Sequence, residues 1–188
     1  MKITRFAIPD VISIEPRIFC DDQGYFFESY NSKIFSETIG RNILFVQDGE
    51  SYSRKAVLRG LHYQVVRPQG KLVRVTEGEI FDVAVDIRLS SSSFGKWTGE
   101  HLSAENKKQL WIPEGFAHGF IVLSDFAKVQ YKMTDFCYPN YERCILFNDK
   151  QIAINWPVVP YEFPIALAPE LSEKDKNGKS LETAELYD

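Results

Sequence analysis

The chain is expected to fold as one all-β domain, a jelly-roll barrel with a few short helices. Three observations carry that expectation. Segments of period-two alternation recur along the 188 residues, Gly and Pro punctuate between them, and helical periodicity is scarce. Aromatic residues make up 14% of the chain, and rings pack well beside β-branched side chains on pleated surfaces. A hydrophobic content of 44% is enough for a real core, and the length suits one domain, or one domain with terminal arms. Many short strands at close spacing form a sandwich or barrel. In a jelly roll, polar side chains that interrupt inward-facing apolar rows would line a concave interior.

The first expected strand covers residues 11–19. A short helix then starts at Asn31 or Ser32, either of which can cap it, and runs to Gly40 with Ile34, Phe35 and Ile39 on one face. A strand follows at 43–47. The segment Val57-Leu58-Arg59-Gly60-Leu61-His62-Tyr63-Gln64 is apolar and strand-like, yet holds an arginine and a histidine. Strands at 71–76 and 79–88 are joined by a turn at Glu77-Gly78. In the second of these, Phe81, Val83, Val85 and Ile87 point one way, and Asp82, Ala84 and Asp86 the other. Strands at 109–112 and 117–123 flank Pro113-Glu114-Gly115. Residues 126–134 set Phe126, Lys128, Gln130 and Lys132 against Ala127, Val129, Tyr131 and Met133. A last strand is expected at 143–147, then a short helical turn at 172–176 and a polar tail from about residue 176, expected to fray in part.

Several function classes are disfavoured. No stretch approaches the ~20 apolar residues that span a bilayer, and Pro9 and Asp10 interrupt the N-terminal run where a signal peptide needs continuity. The expectation is a soluble cytoplasmic protein without a membrane partner. Cys20, Cys137 and Cys144 are odd in number and lack CxxC spacing, so they read as reduced, mostly buried thiols. The net charge of −4 argues against a nucleic-acid partner. Locally the balance reverses: between Ser51 and Thr76 there is no acid, while Arg54, Lys55, Arg59, Arg67, Lys71 and Arg74 all fall there. Such a run is either a solvated basic face or a pocket for a small anion such as pyrophosphate.

The residue types alone leave their roles open. His62 and His118, in apolar surroundings, read first as hydrogen-bonded core residues, and His101 as exposed. Tyr131 directs its hydroxyl where apolar groups point, so burial demands a partner, by default a backbone carbonyl. The three histidines form no HxH pair, which disfavours a metal site on one strand. There is no G-x-S-x-G and no phosphate-binding glycine loop, so any phosphate must be held by side chains.

Five stretches, in order, resemble the dTDP-4-dehydrorhamnose 3,5-epimerase family: Val57 to Gln64, Gly70-Lys71-Leu72-Val73-Arg74, Phe81 to Arg88, Trp111 to Phe120, and Leu171-Ser172-Glu173-Lys174-Asp175. The resemblance covers about Ile8 to Asp175. It implies a cupin-type jelly roll, usually a homodimer, that needs no metal or other cofactor and inverts C3 and C5 of a nucleotide-linked 4-keto-6-deoxyhexose. It further implies His62 as general base paired with Asp175, and Tyr131 as the acid on the opposite face. Arg59, Lys71 and His118 would contact the sugar or a developing oxyanion; Glu28, Gln47, Glu142 and Lys174 match other substrate-contacting positions, and Gln23 occupies one more.

The chemistry suits those residue types. Hydrogens on both carbons flanking a ketone are acidic because their loss gives an enolate, so one base, one cation and one opposed acid serve both. In a regular strand an offset of three puts Arg59 and His62 on opposite faces, so an irregularity at Gly60 is expected to aim both inward. The match departs at Gln23, Gly49 and Cys137, where the family usually carries Arg, Asn and a thymine-stacking Tyr. Either Tyr138 supplies the ring instead, or the sugar is carried by another nucleotide such as CDP or GDP. A C3-only or C5-only epimerase, a non-catalytic sugar-nucleotide-binding jelly roll and a metal-dependent cupin are the remaining alternatives.

Overall fold

Alternation and turn chemistry resolve into two facing antiparallel sheets. The computed structural model describes residues 1–157 and 169–187. Among these, the strands are β1 (Lys2–Arg5), β2 (Ile12–Glu15), β3 (Ile18–Asp21), β4 (Gly24–Phe27), β5 (Gln47–Arg54), β6 (Leu58–Gln64), β7 (Lys71–Glu77), β8 (Glu79–Asp86), β9 (Trp97–Ser103), β10 (Gln109–Ile112), β11 (Phe116–Val122), β12 (Phe126–Met133) and β13 (Glu142–Cys144). Helix α1 (Ser32–Ile39) precedes β5, and helix α2 (Glu173–Lys176) follows β13. The larger sheet has the order β1-β2-β10-β7-β12-β5, the smaller β13-β6-β11-β8-β9, and β3–β4 is a separate hairpin. No helix among the described residues is long and apolar enough to cross a membrane.

The core lies between the sheets. Val73, Val75, Leu110, Ile112, Ala127 and Val129 from the larger sheet meet Ile80, Ala84, Phe116, Phe120 and Val122 from the smaller. Because β8 is buried on both faces, its apolar row of Val83 and Val85 turns away from this core into a second cluster with Leu61, Ile145 and Leu181. The row holding Asp82 is the one that faces the barrel interior.

A third cluster packs α1 on the outside of the larger sheet, where Phe35 meets Trp111 edge-on, 5.3 Å between ring centres. Asn31 caps α1 by accepting from the Lys33 and Ile34 amides, and Gly40 ends it at φ 80°.

Differences from the expected elements have local causes. Residues 11–19 are two strands parted at Pro16, whose missing N–H interrupts the ladder. Residues 43–46 are not strand; Ile43 and Phe45 are spent on the α1 cluster, and pairing begins at Gln47. Strand β1 is mostly polar and exposed, β4 is an exposed aromatic run, and β9 is half-buried along most of its length, so none shows the alternation that announces a strand. The last strand is shorter and earlier than 143–147. The polar tail is docked: Leu181 is buried, the Tyr63 hydroxyl donates to Glu185 O at 2.8 Å, and the Tyr187 hydroxyl bonds Gln64 O. The cysteines are also less buried than expected, Cys20 and Cys137 being exposed and Cys144 half-buried.

Candidate active site

The site is built where β6 breaks register. His62 stands opposite His118 of β11, but Arg59 stands opposite Phe120, so three steps of β6 span two of β11. The extra residue turns Arg59 and His62 to the same face, which is the irregularity expected at Gly60. Gly60 has φ 120°, and the Gly60–Leu61 peptide is cis. A Cβ at Gly60 would fall 2.5 Å from the Gly119 Cα, so the two backbones meet through paired glycines.

His62 Nε2 lies 2.6 Å from Asp175 Oδ1. The carboxylate comes from the first turn of α2, which Ser172 caps by accepting from the Asp175 amide at 3.2 Å. Ser172 Oγ donates back to Asp175 Oδ2 at 2.6 Å, and the Gly60 amide donates to Oδ1 at 3.3 Å. Burial alone would push this carboxyl up; the bonds from His62, Ser172 and Gly60 outweigh it and hold Asp175 down at about 2. Burial also lowers His62 below its ordinary value, opposed by the hydrogen bond and charge of Asp175. The resting pair is therefore a neutral imidazole on an ionised carboxylate. Its proton sits on Nε2 and the lone pair on Nδ1.

A second histidine–carboxylate pair stands beside the first. His118 Nε2 lies 2.6 Å from Asp82 Oδ1, both residues being buried. Asp82 Oδ2 has no hydrogen-bond partner among the described residues. Across the interior, the Tyr131 ring sits edge-on to His118, 6.3 Å between centres. Its hydroxyl finds Ser51 Oγ at 2.7 Å, a side chain on β5 and not the backbone carbonyl expected. Burial raises the Tyr131 pKa, so the phenol is protonated.

Cations close the cavity. Lys71 shares the inward row of β7 with Val73 and Val75. Desolvation lowers its pKa, against the pull of Glu142 and Asp82. Arg59 reaches from the smaller sheet to the edge of the larger, donating to Ser53 Oγ at 2.8 Å and Tyr52 O at 3.3 Å. Glu142 pairs with Lys174, and Gln47 Oε1 accepts from the Cys137 amide at 3.0 Å. Nearby, Arg67 pairs with Asp135 and covers the Tyr138 ring, 5.4 Å from its centre, leaving Cys137 exposed.

His62, Asp175, Tyr131, Arg59, Lys71, His118, Glu142 and Lys174 thus gather around one interior, with Gln47 at its rim. Gln23 and Glu28 do not join them. Gln23 is in the exposed β3–β4 turn, and Glu28 lies over the outer face of the larger sheet with Leu72 and Gln109. The acid-free run is not one pocket either: Arg54, Lys55 and Arg67 pair with Glu170, Asp125 and Asp135, and Arg74 bonds Gln130 on the outer face. Only Arg59 and Lys71 of that run serve the interior. Residue types did not reveal Asp82, Ser51, Ser172 or Cys144. Asp82 left one trace, an acid on the row of β8 that also carries Ala84. Cys144 lies opposite His62 on β13, and His62, Cys144 and Asp175 hold ligand atoms within 4.8 Å of one another.

The model of the dTDP-4-dehydrorhamnose 3,5-epimerase family matches residues 5–183. The chain belongs to that family. It is 57% identical over 187 residues to a dTDP-4-dehydrorhamnose 3,5-epimerase of Pseudomonas aeruginosa, covering 100% of this chain and 99% of that one. Identity to the Shigella flexneri protein of the same name is 54%, with coverage of 100% and 99%. The crystal structure of dTDP-6-deoxy-D-glucose-3,5-epimerase from Legionella pneumophila in complex with dTDP-4-keto-L-rhamnose superposes with a TM-score of 0.92 at 48% identity, covering 99% and 97%. The epimerase family fixes the enzyme class as isomerase and the architecture as the cupin-like jelly roll.

Proposed function

We propose that the chain inverts both C3 and C5 of dTDP-4-dehydro-6-deoxy-D-glucose to give dTDP-4-dehydro-L-rhamnose, using its own side chains alone. The observation that carries the proposal is the opposition of a neutral His62, braced by Asp175, to a protonated Tyr131 on the facing sheet. His62 Nδ1 takes the proton from carbon next to the ketone. Asp175 stabilises the imidazolium that results. Lys71 and His118 meet the C4 enolate oxygen, each such donor contributing about 3–4 kcal/mol in a dry site. Tyr131 returns a proton from the other face, and its raised pKa keeps that proton available.

The dTDP carrier is supported by the names of the P. aeruginosa and S. flexneri relatives and by the ligand of the Legionella structure. Tyr138, held under Arg67 next to the exposed Cys137, is the ring suited to stack on the base. A homodimer is supported by the β3–β4 hairpin, which exposes Ile18, Phe19, Tyr25 and Phe26 and carries Gln23 away from its own His62. Exposed free thiols at Cys20 and Cys137 suit a reducing cytoplasm.

The test is turnover of dTDP-, CDP- and GDP-linked 4-keto-6-deoxyhexoses in D₂O, with deuterium read at each carbon. Preference for dTDP with label at both C3 and C5 is expected. Label at one carbon makes the chain a mono-epimerase; binding without label makes it a sugar-nucleotide binder.

A further inference from the structure

The geometry points to a second use of the catalytic dyad: His62, Cys144 and Asp175 form a site for a soft divalent cation of the zinc class, and filling it switches the base off. Three elements bring these donors together. Cys144 and His62 are cross-strand partners on β13 and β6, which holds their side chains on one face as near neighbours. Asp175 enters from α2, with Oδ1 at 2.6 Å from His62 Nε2 and 3.9 Å from Cys144 Sγ. All three ligand atoms lie within 4.8 Å of one another. A tetrahedral zinc ion with ordinary bond lengths sets ligand atoms about 3.3–3.6 Å apart. The sulfur must therefore close on Asp175 by a few tenths of an ångström and on the imidazole by up to about 1.2 Å, while the imidazole and the carboxylate part by somewhat under an ångström.

One thiolate, one imidazole and one carboxylate suit zinc or cobalt and not magnesium, which requires oxygen ligands and octahedral geometry. The cation has a way in. A surface cavity of about 280 Å³ is lined by Cys144, and the Glu142–Lys174 pair in its wall must part for an ion to pass on to His62 and Asp175, which do not line it. Lys174 and Lys71 oppose a second cation here, while Glu142 favours it, so the site is a moderate one that fills when soft metal is plentiful.

The mode of inhibition follows from proton bookkeeping on one ring. The metal occupies the Nε2 lone pair, so the proton that Nε2 donated to Asp175 must leave that atom. A neutral imidazole then carries its hydrogen on Nδ1, the nitrogen that faces the interior, and no lone pair remains there to accept a substrate proton. The Cys144 proton is released to solvent as the thiolate binds. Inhibition of turnover rests on the epimerase reading; binding does not.

The test uses Co²⁺ and Zn²⁺ with the intact protein. Co²⁺ is expected to give a thiolate-to-cobalt charge-transfer band that Zn²⁺ abolishes by displacement and Mg²⁺ leaves untouched. Zn²⁺ is expected to stop solvent exchange into substrate, reversibly on chelation. Cys144→Ala and Cys144→Ser should lose the band and weaken Zn²⁺ inhibition at least about tenfold, a difference of ~1.4 kcal/mol, each read against that variant's own metal-free turnover. No band in the wild type, or a band or full Zn²⁺ inhibition persisting without Cys144, overturns the proposal. The band is read without substrate, so its presence in a protein that fails to epimerise would refute the catalytic reading and leave this site standing.

Discussion

His62 and His118 face one another across the β6–β11 ladder, and each bonds a different buried carboxylate through Nε2 at 2.6 Å. The two carboxylates are not equivalent. Asp175 accepts from the imidazole, from Ser172 and from a backbone amide, whereas Asp82 leaves one oxygen without a partner among the described residues. An unsatisfied buried acceptor costs ~1–3 kcal/mol. The first pair is fully hydrogen-bonded, as the proposed base requires. The second holds His118 through one oxygen and leaves the other unpartnered, beside the ring of Tyr131.

The pH profile should report the first pair. Burial lowers His62 below 6.5, and Asp175 pulls it back up. If His62 is the base proposed, it must be neutral to accept a proton, and the acid limb of kcat/KM should have its midpoint below 6.5. Asp175→Asn removes the bond and the charge that favour imidazolium. The limb should then move to still lower pH, while kcat falls by ~10²–10⁴ because the tautomer and the imidazolium both lose support. An upward move of the limb would contradict this assignment. Acid unfolding carries the same sign: the Asp175 contribution is complete above 3.8 and is lost as pH falls towards about 2, a dependence absent in Asp175→Asn.

Tyr131→Phe should uncouple exchange from inversion. With the phenol gone, His62 still removes a proton and can hand a solvent-derived one back to the same face. Deuterium should therefore enter substrate while inverted product falls by about 10²-fold or more. The Ser51 hydroxyl loses its 2.7 Å partner but lies at the cavity wall, so the melting temperature should change little. Equal loss of label and product would assign Tyr131 to binding instead.

How much of this was legible beforehand depends on the range of the interaction. The alternation of β8 and β12 is a local property, and it placed Tyr131 on the interior face correctly. The cap at Asn31 and the stop at Gly40 are also local, and α1 ends where they stand. Asp175 is 113 residues from His62, and no spacing rule links them; only the family motif Leu171 to Asp175 did. Asp82 was visible as an acid in a strand, but which face of a doubly buried strand meets the cavity is decided by the other sheet. The acid-free run misled for the same reason: four of its six cations are claimed by partners remote in sequence. Cys144 gained its meaning only from a cross-strand register.

Asp82→Asn separates positioning from packing. The amide is nearly isosteric, keeps an oxygen for His118 Nε2 and exchanges the orphan oxygen for an NH2 group in the same unpartnered place, so the change in stability should be small. His118 loses the carboxylate that orients its ring. The expected result is a kcat lowered at least about tenfold, consistent with loss of one support for an oxyanion donor, with KM within a few-fold. A drop in melting temperature with kcat intact would make Asp82 a purely structural acid.

Gly60→Ala tests whether the irregularity in β6 builds the site. At φ 120°, a new Cβ would lie 2.5 Å from the Gly119 Cα and 2.7 Å from the His118 carbonyl oxygen. Both are backbone atoms, so no side chain can swing aside. Either β6 and β11 part, or the bulge rearranges and Arg59 and His62 lose their shared face. A cost above ~2 kcal/mol is expected, lowering the melting temperature of a domain of this size by about 4–8 °C. Gly40→Ala is the control: its φ is also positive, at 80°, but nothing lies within 4 Å of the added carbon. That variant should cost only ~1 kcal/mol and keep full activity. Gly60→Ala should lose turnover even at temperatures where its circular dichroism still reports folded protein. If it keeps wild-type turnover and stability, the bulge is not what brings Arg59 and His62 to one cavity.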